Sequence, residues 1–340
     1  MEVVMIVTLI TISSINLIFP MPSIISFSPV ILFVYKRANH TQQVLDALSM
    51  CQNSKDTPLI IYSDGAKPNA SLKDEQEIEQ TRQVLRDFKE QKENHFLSIE
   101  IYESELNKGL AKSVKEGITE QINKYEKVIV LEDDIVPQKG FLKYMNEALE
   151  KYENEEKVWG ISASAFPLDN EKLVQQETFF LPVNSSWGWA TWKRTWCKID
   201  FDIESIFKKI SQKSITSKEY NFGSYYYYQI LEAQKESKID SWATFFMATL
   251  FLEKGWFLFP KKSLVQNTGF DATGTHCTEE DLFFNTAVTD FVEVNEIPLS
   301  IENEGKKQTE KAFEKQFGKP SIFKRIQNKL NPNSPYFILK

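Results

Sequence analysis

Three consecutive acids, Glu132, Asp133 and Asp134, follow the apolar run Val128–Leu131 and precede Pro137. The run has the length and composition of a buried strand of a parallel sheet, and Pro137 should stop the ladder from continuing. Ligands bind at the carboxyl ends of strands in open α/β sheets, and three adjacent acids repel one another unless a cation binds them. The pattern predicts a divalent metal site whose metal carries a phosphorylated ligand. The alternative is a solvated acidic turn after a strand.

Four apolar runs alternate with amphipathic segments in the first half of the chain. Alternating strands and helices predict an α/β fold with a mostly parallel central sheet and helices on both faces. The predicted strands are residues 29–35, 58–62, 96–102 and 128–131, with helices at about 39–50, 71–93 and 110–122. Farther along, the pattern predicts a helix to about residue 153, strands at 157–162 and 256–259, and an apolar helix that opens at 239–242, with Asp240 as its N-cap, and runs to about residue 254.

Polar side chains suited to a nucleotide follow several of these strands. Arg37 follows the first strand, Asp64 follows the second, and the acid cluster follows the fourth. Neither of the glycine-rich phosphate-binding patterns, GxGxxG and GxxxxGK[ST], occurs in the sequence. The charge of a bound phosphate must therefore be balanced by a metal and by cationic side chains.

The second half of the chain is rich in aromatic residues, with tryptophans at Trp187–Trp192 and Trp196 and four tyrosines at Tyr225–Tyr228. Aromatic rings stack on the apolar faces of sugar rings, and carboxylates bind sugar hydroxyls. We expect most of the tryptophans to lie in the core and Trp187 or Trp189 to contact a sugar. The first half of the chain carries the predicted metal site and its carboxylates, and the second half carries the aromatic residues. Together they indicate transfer of a sugar from a nucleotide donor.

Four motifs, taken in order, resemble the GT-A glycosyltransferases. They are a strand followed by Arg37, a strand followed by Asp64-Gly65, the run Asn-Lys-Gly-Leu-Ala at 107–111, and Leu-Glu-Asp-Asp at 131–134. The chain is most similar to family-2-like bacterial enzymes of surface-polysaccharide clusters and to the N-acetylglucosaminyltransferase I family. The bacterial group typically carries a Trp-Gly-Trp-Ala-Thr-Trp box and an Asn-x-Gly-Phe-Asp-x-x-Gly-Thr-His ending, and both occur here, at 187–192 and 267–276. The resemblance covers about residues 28–280.

For the donor side, the resemblance implies that Asp134 binds Mn²⁺ or Mg²⁺ directly, and that His276 completes metal or diphosphate binding. Asp133 and Glu132 would act through water or on the ribose and sugar of the donor. Asp64 would bind the base. A further pair of cationic side chains would face phosphate or base: Arg37 and Lys108.

For the acceptor side, the resemblance implies that Asp240 is the general base of an inverting displacement. The N-acetylglucosaminyltransferase family has Asp-Asp-Trp at this point, whereas here Ser241 replaces the second acid before Trp242. Glu279 and Glu280 are therefore alternative bases, and helix capping is an alternative role for Asp240.

These features predict a metal-dependent, inverting glycosyltransferase, hexosyl or N-acetylhexosaminyl, that uses a nucleotide-sugar donor such as a UDP-sugar. The expected acceptor is a glycan or lipid-linked glycan of a bacterial capsule or lipopolysaccharide. One alternative is a nucleotidyltransferase, but such enzymes carry a glycine-rich basic loop after the first strand and residues 35–38 contain no glycine. Another is a catalytically inactive sugar-binding module, in which a repulsive acid cluster would have little reason to remain.

Composition limits the classes of partner and the compartment. The formal net charge is −7 and the pI is about 5.3, which argues against nucleic-acid binding because that requires a basic face. The three cysteines, Cys51, Cys197 and Cys277, are widely spaced and suggest neither a disulfide framework nor a zinc site. A reducing, cytoplasmic compartment is expected, with association to the inner face of the membrane as an open alternative.

The chain is expected to comprise four segments. Residues 1–27 are an apolar segment, either a membrane anchor or an extension. Residues 28–160 would be the nucleotide-sugar-binding half and residues 161–300 the acceptor half of the same domain. Residues 301–340 form a basic amphipathic tail that either contacts anionic lipid or packs on its own domain.

Overall fold

The computed structural model describes residues 27–269, 286–295, 297 and 303–318. Four βα units open this part of the chain, and the helices are bounded as the apolar patterns predict. In the helix at 72–92, Ser71 and Asp74 form a reciprocal capping box, which fixes where that helix begins. The elements of this part are β1 (Val30–Val34), α1 (Ala38–Ser49), β2 (Pro58–Ser63), α2 (Leu72–Lys92), β3 (Ser98–Glu103), α3 (Leu110–Tyr125), β4 (Lys127–Glu132), β5 (Ile135–Pro137) and α4 (Phe141–Lys151).

The second part of the chain adds further strands to the same sheet and a group of short helices beside it. These elements are β6 (Val158–Ser162), β7 (Thr178–Leu181), β8 (Trp189–Trp192), α5 (Lys193–Trp196), α6 (Ile203–Gln212), α7 (Ser217–Tyr220), α8 (Tyr227–Lys235), α9 (Trp242–Leu252), β9 (Trp256–Pro260), β10 (Val265–Asn267) and α10 (Glu304–Phe317).

One eight-stranded sheet runs through both parts, in the order β3-β2-β1-β4-β8-β6-β9-β7. Strands β3, β2, β1 and β4 are mutually parallel, as is the β6–β9 pair. The antiparallel strand β8 lies between β4 and β6, and β7 is antiparallel at the edge. This mixed α/β architecture with a mostly parallel central sheet confirms the predicted fold class.

Helices cover both faces of the sheet because successive strand residues point to opposite sides. In β1, Val30, Leu32 and Val34 pack in a cluster with α1, α2 and α4. Ile31 and Phe33 point the other way, into a cluster with α3, α9 and α10. Every residue of β1 is buried, as expected for a central strand.

The helix α9 begins at Trp242, and its N-cap residue is Ser241, without a side-chain capping bond. The prediction that Asp240 caps this helix is therefore wrong by one position. Asp240 lies before the cap, so its carboxylate is not held by the first turn of α9.

The C-terminal helix α10 packs on the domain. Asn303 caps its first turn by accepting from Lys306 N, and Phe313 is fully buried against Phe222 and Phe166. Within the described ranges, no helix is both long and apolar enough to cross a membrane. Residues 1–26 and 319–340, which include most of the apolar segment and the end of the tail, lie outside the described residues.

Candidate functional site

The acid cluster lies at the carboxyl end of β4 and meets a cation from the neighbouring strand. Asp133 and Asp134 are buried, with 4% and 8% of their surface exposed. The guanidinium of Arg37, just beyond β1, donates from Nη2 to Asp133 Oδ1, and the same atom lies 2.9 Å from Asp134 Oδ2. The backbone N–H of Tyr35 also points at Asp133 Oδ2, 3.4 Å away. Parallel pairing of β1 with β4 thus brings Arg37 and the acids together.

The electrostatics of this cluster are unbalanced. Burial, reinforced by the charges of Asp134 and Asp133, raises the pKa of Glu132 from 4.5 to about 8. Burial also raises the pKa of Asp133, although Arg37 opposes that shift. Burial alone would lower the pKa of Arg37, but the two aspartates outweigh it and raise this pKa above its ordinary value. Glu132 is therefore mostly protonated at neutral pH, and one guanidinium offsets only part of the negative charge of Asp133 and Asp134.

The oxygen donors of this cluster suit a hard divalent cation. Mg²⁺ and similar ions are commonly bound by one or two carboxylates together with substrate phosphates. Within the described part of the chain, no three His, Cys, Asp or Glu side chains converge as a complete metal cage. Asp134 and Asp133 are the residues that would hold the ion. The uncompensated negative charge of these two carboxylates is the observation that suits them to bind a divalent cation.

A second segment, at the end of β10, packs against Asp134. Strand β10 pairs antiparallel with β5, and the residue that follows it, Thr268, donates from its backbone N–H to Asp134 O at 2.9 Å. A Cβ atom on Gly269 would lie 2.4 Å from Asp134 Oδ2, so a larger residue there would displace that carboxylate. The Asn-x-Gly start of the second motif therefore lies against the acid cluster. The rest of that motif, with His276, and the alternative bases Glu279 and Glu280 lie outside the described residues.

Sequence reasoning missed His40 in this region. His40 lies on α1, and its Nε2 is 3.2 Å from Thr268 O, which links that helix to the segment over Asp134. The one available signal was its rarity, since the chain contains three histidines.

Asp64 lies at the carboxyl end of β2, on the same sheet edge. Its carboxylate accepts the backbone N–H groups of Lys108 and Gly109, at 2.8 and 3.0 Å, and so fixes the entry to α3. Gly109 has φ of +78°, which favours glycine. The ammonium group of Lys108 pairs with Glu116 at 2.9 Å. Asp64 and Lys108 are therefore neighbours, and their roles in donor binding remain predictions.

Asp240, which lies just before the N-cap of α9, is also at this edge of the sheet. Its Oδ2 would lie 3.9 Å from a methyl group placed on Gly109 Cα, and the side chain is exposed. The Ser241 N–H donates to Gln234 Oε1 at 2.9 Å, which ties this segment to α8. The predicted base therefore lies next to the loop that Asp64 braces.

A cavity of about 420 Å³ opens beside Asp240. Trp187, which is half-buried, forms part of its wall, whereas Trp189 is fully buried and stacks on Trp242 with ring centroids 4.6 Å apart. The sugar-contact prediction is therefore kept for Trp187 and not for Trp189. Three tyrosines that sequence reasoning left without a role also line the cavity: Tyr225, Tyr226 and Tyr227.

Comparison with known proteins finds remote similarity to solved structures. No family model and no curated protein sequence matches the chain. The chain resembles the solved structure of the mannosyltransferase PcManGT from Pyrobaculum calidifontis in complex with GDP-Man and Mn²⁺, with a TM-score of 0.35 and 12% sequence identity. The similarity covers 67% of this chain and 70% of the mannosyltransferase chain.

Proposed function

We propose that the protein is a metal-dependent, inverting glycosyltransferase that moves a sugar from a nucleotide donor to a hydroxyl group. One observation carries the proposal: the acid cluster, with its uncompensated negative charge, and the aromatic cavity that Asp240 lines both lie at the carboxyl edge of the same sheet. That edge is where ligands bind in open α/β sheets. Neither feature alone would distinguish a transferase from a metal-binding or a sugar-binding protein.

On the donor side, the acid cluster would bind the diphosphate of the nucleotide sugar through a cation held by Asp134 and Asp133. Bound Mn²⁺ or Mg²⁺ would neutralise the negative charge that develops on the leaving diphosphate. Arg37, already paired with these acids, would contribute a second positive charge beside the phosphates. Asp64 would bind the base and Lys108 a phosphate.

On the acceptor side, Asp240 would accept the proton of the attacking hydroxyl. The acceptor oxygen would form its bond to the anomeric carbon as the bond from that carbon to the diphosphate oxygen breaks. The nucleoside diphosphate then leaves with the bonding electron pair. Trp187 would contact the acceptor sugar from the cavity wall. Glu279 and Glu280 remain the alternative bases.

The identity of the substrates rests on the sequence resemblance. It favours a UDP-sugar as donor, a hexose or N-acetylhexosamine as the transferred group, and a bacterial capsule or lipopolysaccharide glycan as acceptor. The three widely spaced cysteines favour a reducing, cytoplasmic compartment for the reaction, with association to the inner face of the membrane as an open alternative.

The test is turnover of a panel of nucleotide sugars, with and without Mn²⁺, followed by release of free nucleoside diphosphate. We expect Mn²⁺-dependent turnover of one donor, and Asp240→Asn should lower it by roughly 10²–10⁴-fold because a positioned general base contributes about that much. Donor affinity should be unchanged. The matched control is Asp56→Asn, at the opposite end of β2, which should retain full turnover.

Two other outcomes would contradict the proposal. A sugar-binding module would bind a donor without turning it over under any condition. A nucleotidyltransferase would instead form a nucleotide sugar from a nucleoside triphosphate and a sugar 1-phosphate, and release pyrophosphate.

A further inference from the structure

The cavity beside Asp240 is built from five separate stretches of the chain. They are the segment after β6, the segment before β8, the end of α7 at Tyr220, the tyrosine-rich start of α8, and the stretch from Ile239 into the first two turns of α9. Phe317, at the end of α10, completes the wall. With a volume of about 420 Å³, it falls within the range of small-molecule sites.

The described wall of this cavity contains no basic side chain. Asp240 is its single charged residue, and no Lys, Arg or His is present among the other described lining residues. A phosphate or sulfate inside it would be desolvated beside a carboxylate without a counter-charge, which is strongly unfavourable. The wall therefore discriminates against anions.

Most polar side chains of the wall are neutral. Ser164 and Ser185 share a hydrogen bond of 2.8 Å and are almost completely buried, and Asn184 donates from its amide to Ala243 O at 3.0 Å. Tyr220 also lines the cavity, but its hydroxyl is closed off from solvent and so does not face a bound ligand. Neutral hydroxyl and amide groups can hydrogen-bond the hydroxyls of a ligand without adding charge to the wall.

Aromatic rings form a further part of the wall. The rings of Tyr225 and Tyr226 stack with centroids 4.8 Å apart, and Phe317 packs edge-on against Tyr225 at 5.2 Å. Such rings offer flat apolar surfaces to the C–H faces of a sugar. The C-terminal helix therefore contributes directly to the site that Trp187 and Asp240 also line.

We infer that this cavity binds an uncharged sugar ring of the acceptor, with Trp187 and Phe317 as residues that determine its specificity. The inference rests on the proposed function and extends it, since it excludes phosphorylated or sulfated acceptor rings at this position. Any phosphate of a lipid-linked acceptor would then lie outside the cavity.

The test is saturation-transfer NMR on the full chain, with and without UDP and Mn²⁺. The probes are methyl glycosides of glucose, galactose and N-acetylglucosamine, and the 6-phosphates of the same sugars. We expect at least one neutral glycoside to bind and its 6-phosphate to bind at least tenfold more weakly. Trp187→Ala should weaken the neutral probe by roughly fivefold, the value of one aromatic contact.

Phe317→Ala should also weaken the neutral probe, whereas the matched control Phe291→Ala should not, because Phe291 is half exposed and does not line the cavity. Absence of glycoside binding, equal binding of the 6-phosphates, or unchanged binding to Phe317→Ala would each overturn the inference. Mn²⁺-dependent UDP binding, measured on the same samples, separates the two proposals. If it is present while the glycosides fail, only the cavity inference fails; if it is absent while they bind, the transferase proposal fails.

Discussion

Arg37 is the residue on which the electrostatic balance of the acid cluster depends. It pairs with both Asp133 and Asp134, and 19% of its side chain is exposed. Removing one member of a largely buried ion pair leaves its partner uncompensated, which usually destabilises a protein more than the intact pair stabilises it. Arg37 therefore holds the metal-free cluster together.

We predict that Arg37→Ala lowers the free energy of unfolding by about 3 kcal/mol without metal. Mn²⁺ should restore more stability to this variant than to the wild type, because the ion replaces the lost positive charge. Urea denaturation with and without Mn²⁺ measures both effects. The control is Arg86→Ala, whose partners Glu79 and Glu103 are on the surface and whose loss should cost no more than about 1 kcal/mol. Equal effects of the two substitutions would contradict the role of Arg37.

Glu132 should make the free energy of unfolding of the metal-free protein depend on pH. Its pKa is about 8 in the folded chain against an ordinary 4.5, so between these values the folded state binds more protons than the unfolded state. The free energy of unfolding should therefore fall as the pH rises from about 4.5 to 8. Glu132→Gln should flatten this slope, and so should Mn²⁺ with UDP. Thermal midpoints at several pH values in that window would show it; an identical slope in the variant would refute the assignment.

The sequence could place some of these residues and not others. Arg37, Asp64 and the acids each follow a strongly apolar run, so their position at one sheet edge could be predicted. Asp240 does not follow a predicted strand, and its approach to Gly109 depends on tertiary packing of α9. Trp187 and Trp189 could not be told apart, because the pattern does not reveal that β8 begins at Trp189 and buries that ring.

At the scale of elements, local apolar patterns were sufficient for the parallel strands. β1, β2 and β4 are continuous buried runs joined by short turns to amphipathic helices, which is the sequence signature of a parallel sheet. The short pair β5 and β10 has three residues in each strand. Such strands carry too few residues for a periodic signal, although they position Asn267 and Thr268 against the acid cluster.

The antiparallel insertion of β8 was the main element that the pattern did not predict. Its residues Trp189–Trp192 are all buried, so they show no alternation, and the sequence pattern predicted core residues here without predicting a strand. Pairing of β8 with β4 on one side and β6 on the other joins the two halves into one sheet. Because β8 pairs with β4, the segment that precedes β8 and contains Trp187 lies near the carboxyl end of β4.

The C-terminal helix α10 shows how an amphipathic pattern can be ambiguous. Its apolar residues are compatible with a lipid surface or with a protein core. In the fold, Phe313 is fully buried and Phe317 lines the cavity. The described part of the tail thus belongs to the domain and to its candidate acceptor site.

At the scale of the whole molecule, the sheet provides two chemically different surfaces along one edge. The half around β1, β2 and β4 carries the acids and Arg37, and the half around α8, α9 and α10 carries a neutral aromatic cavity. A reaction between a charged donor and an uncharged acceptor matches this division. The fold class could be predicted from the apolar pattern. The presence of the acid cluster and the cavity at one edge of the sheet depends on the order of the strands, which the pattern does not give.

The central claim is that a cation links Asp134 to the diphosphate of a donor, and calorimetric titration of UDP with and without Mn²⁺ tests it most directly. We predict that the wild type and the control Asp56→Asn bind UDP only when Mn²⁺ is present. Asp134→Ala should remain folded, by circular dichroism, and lose this binding. Unchanged UDP affinity in Asp134→Ala, or equally tight binding by the wild type without a divalent ion, would contradict the account.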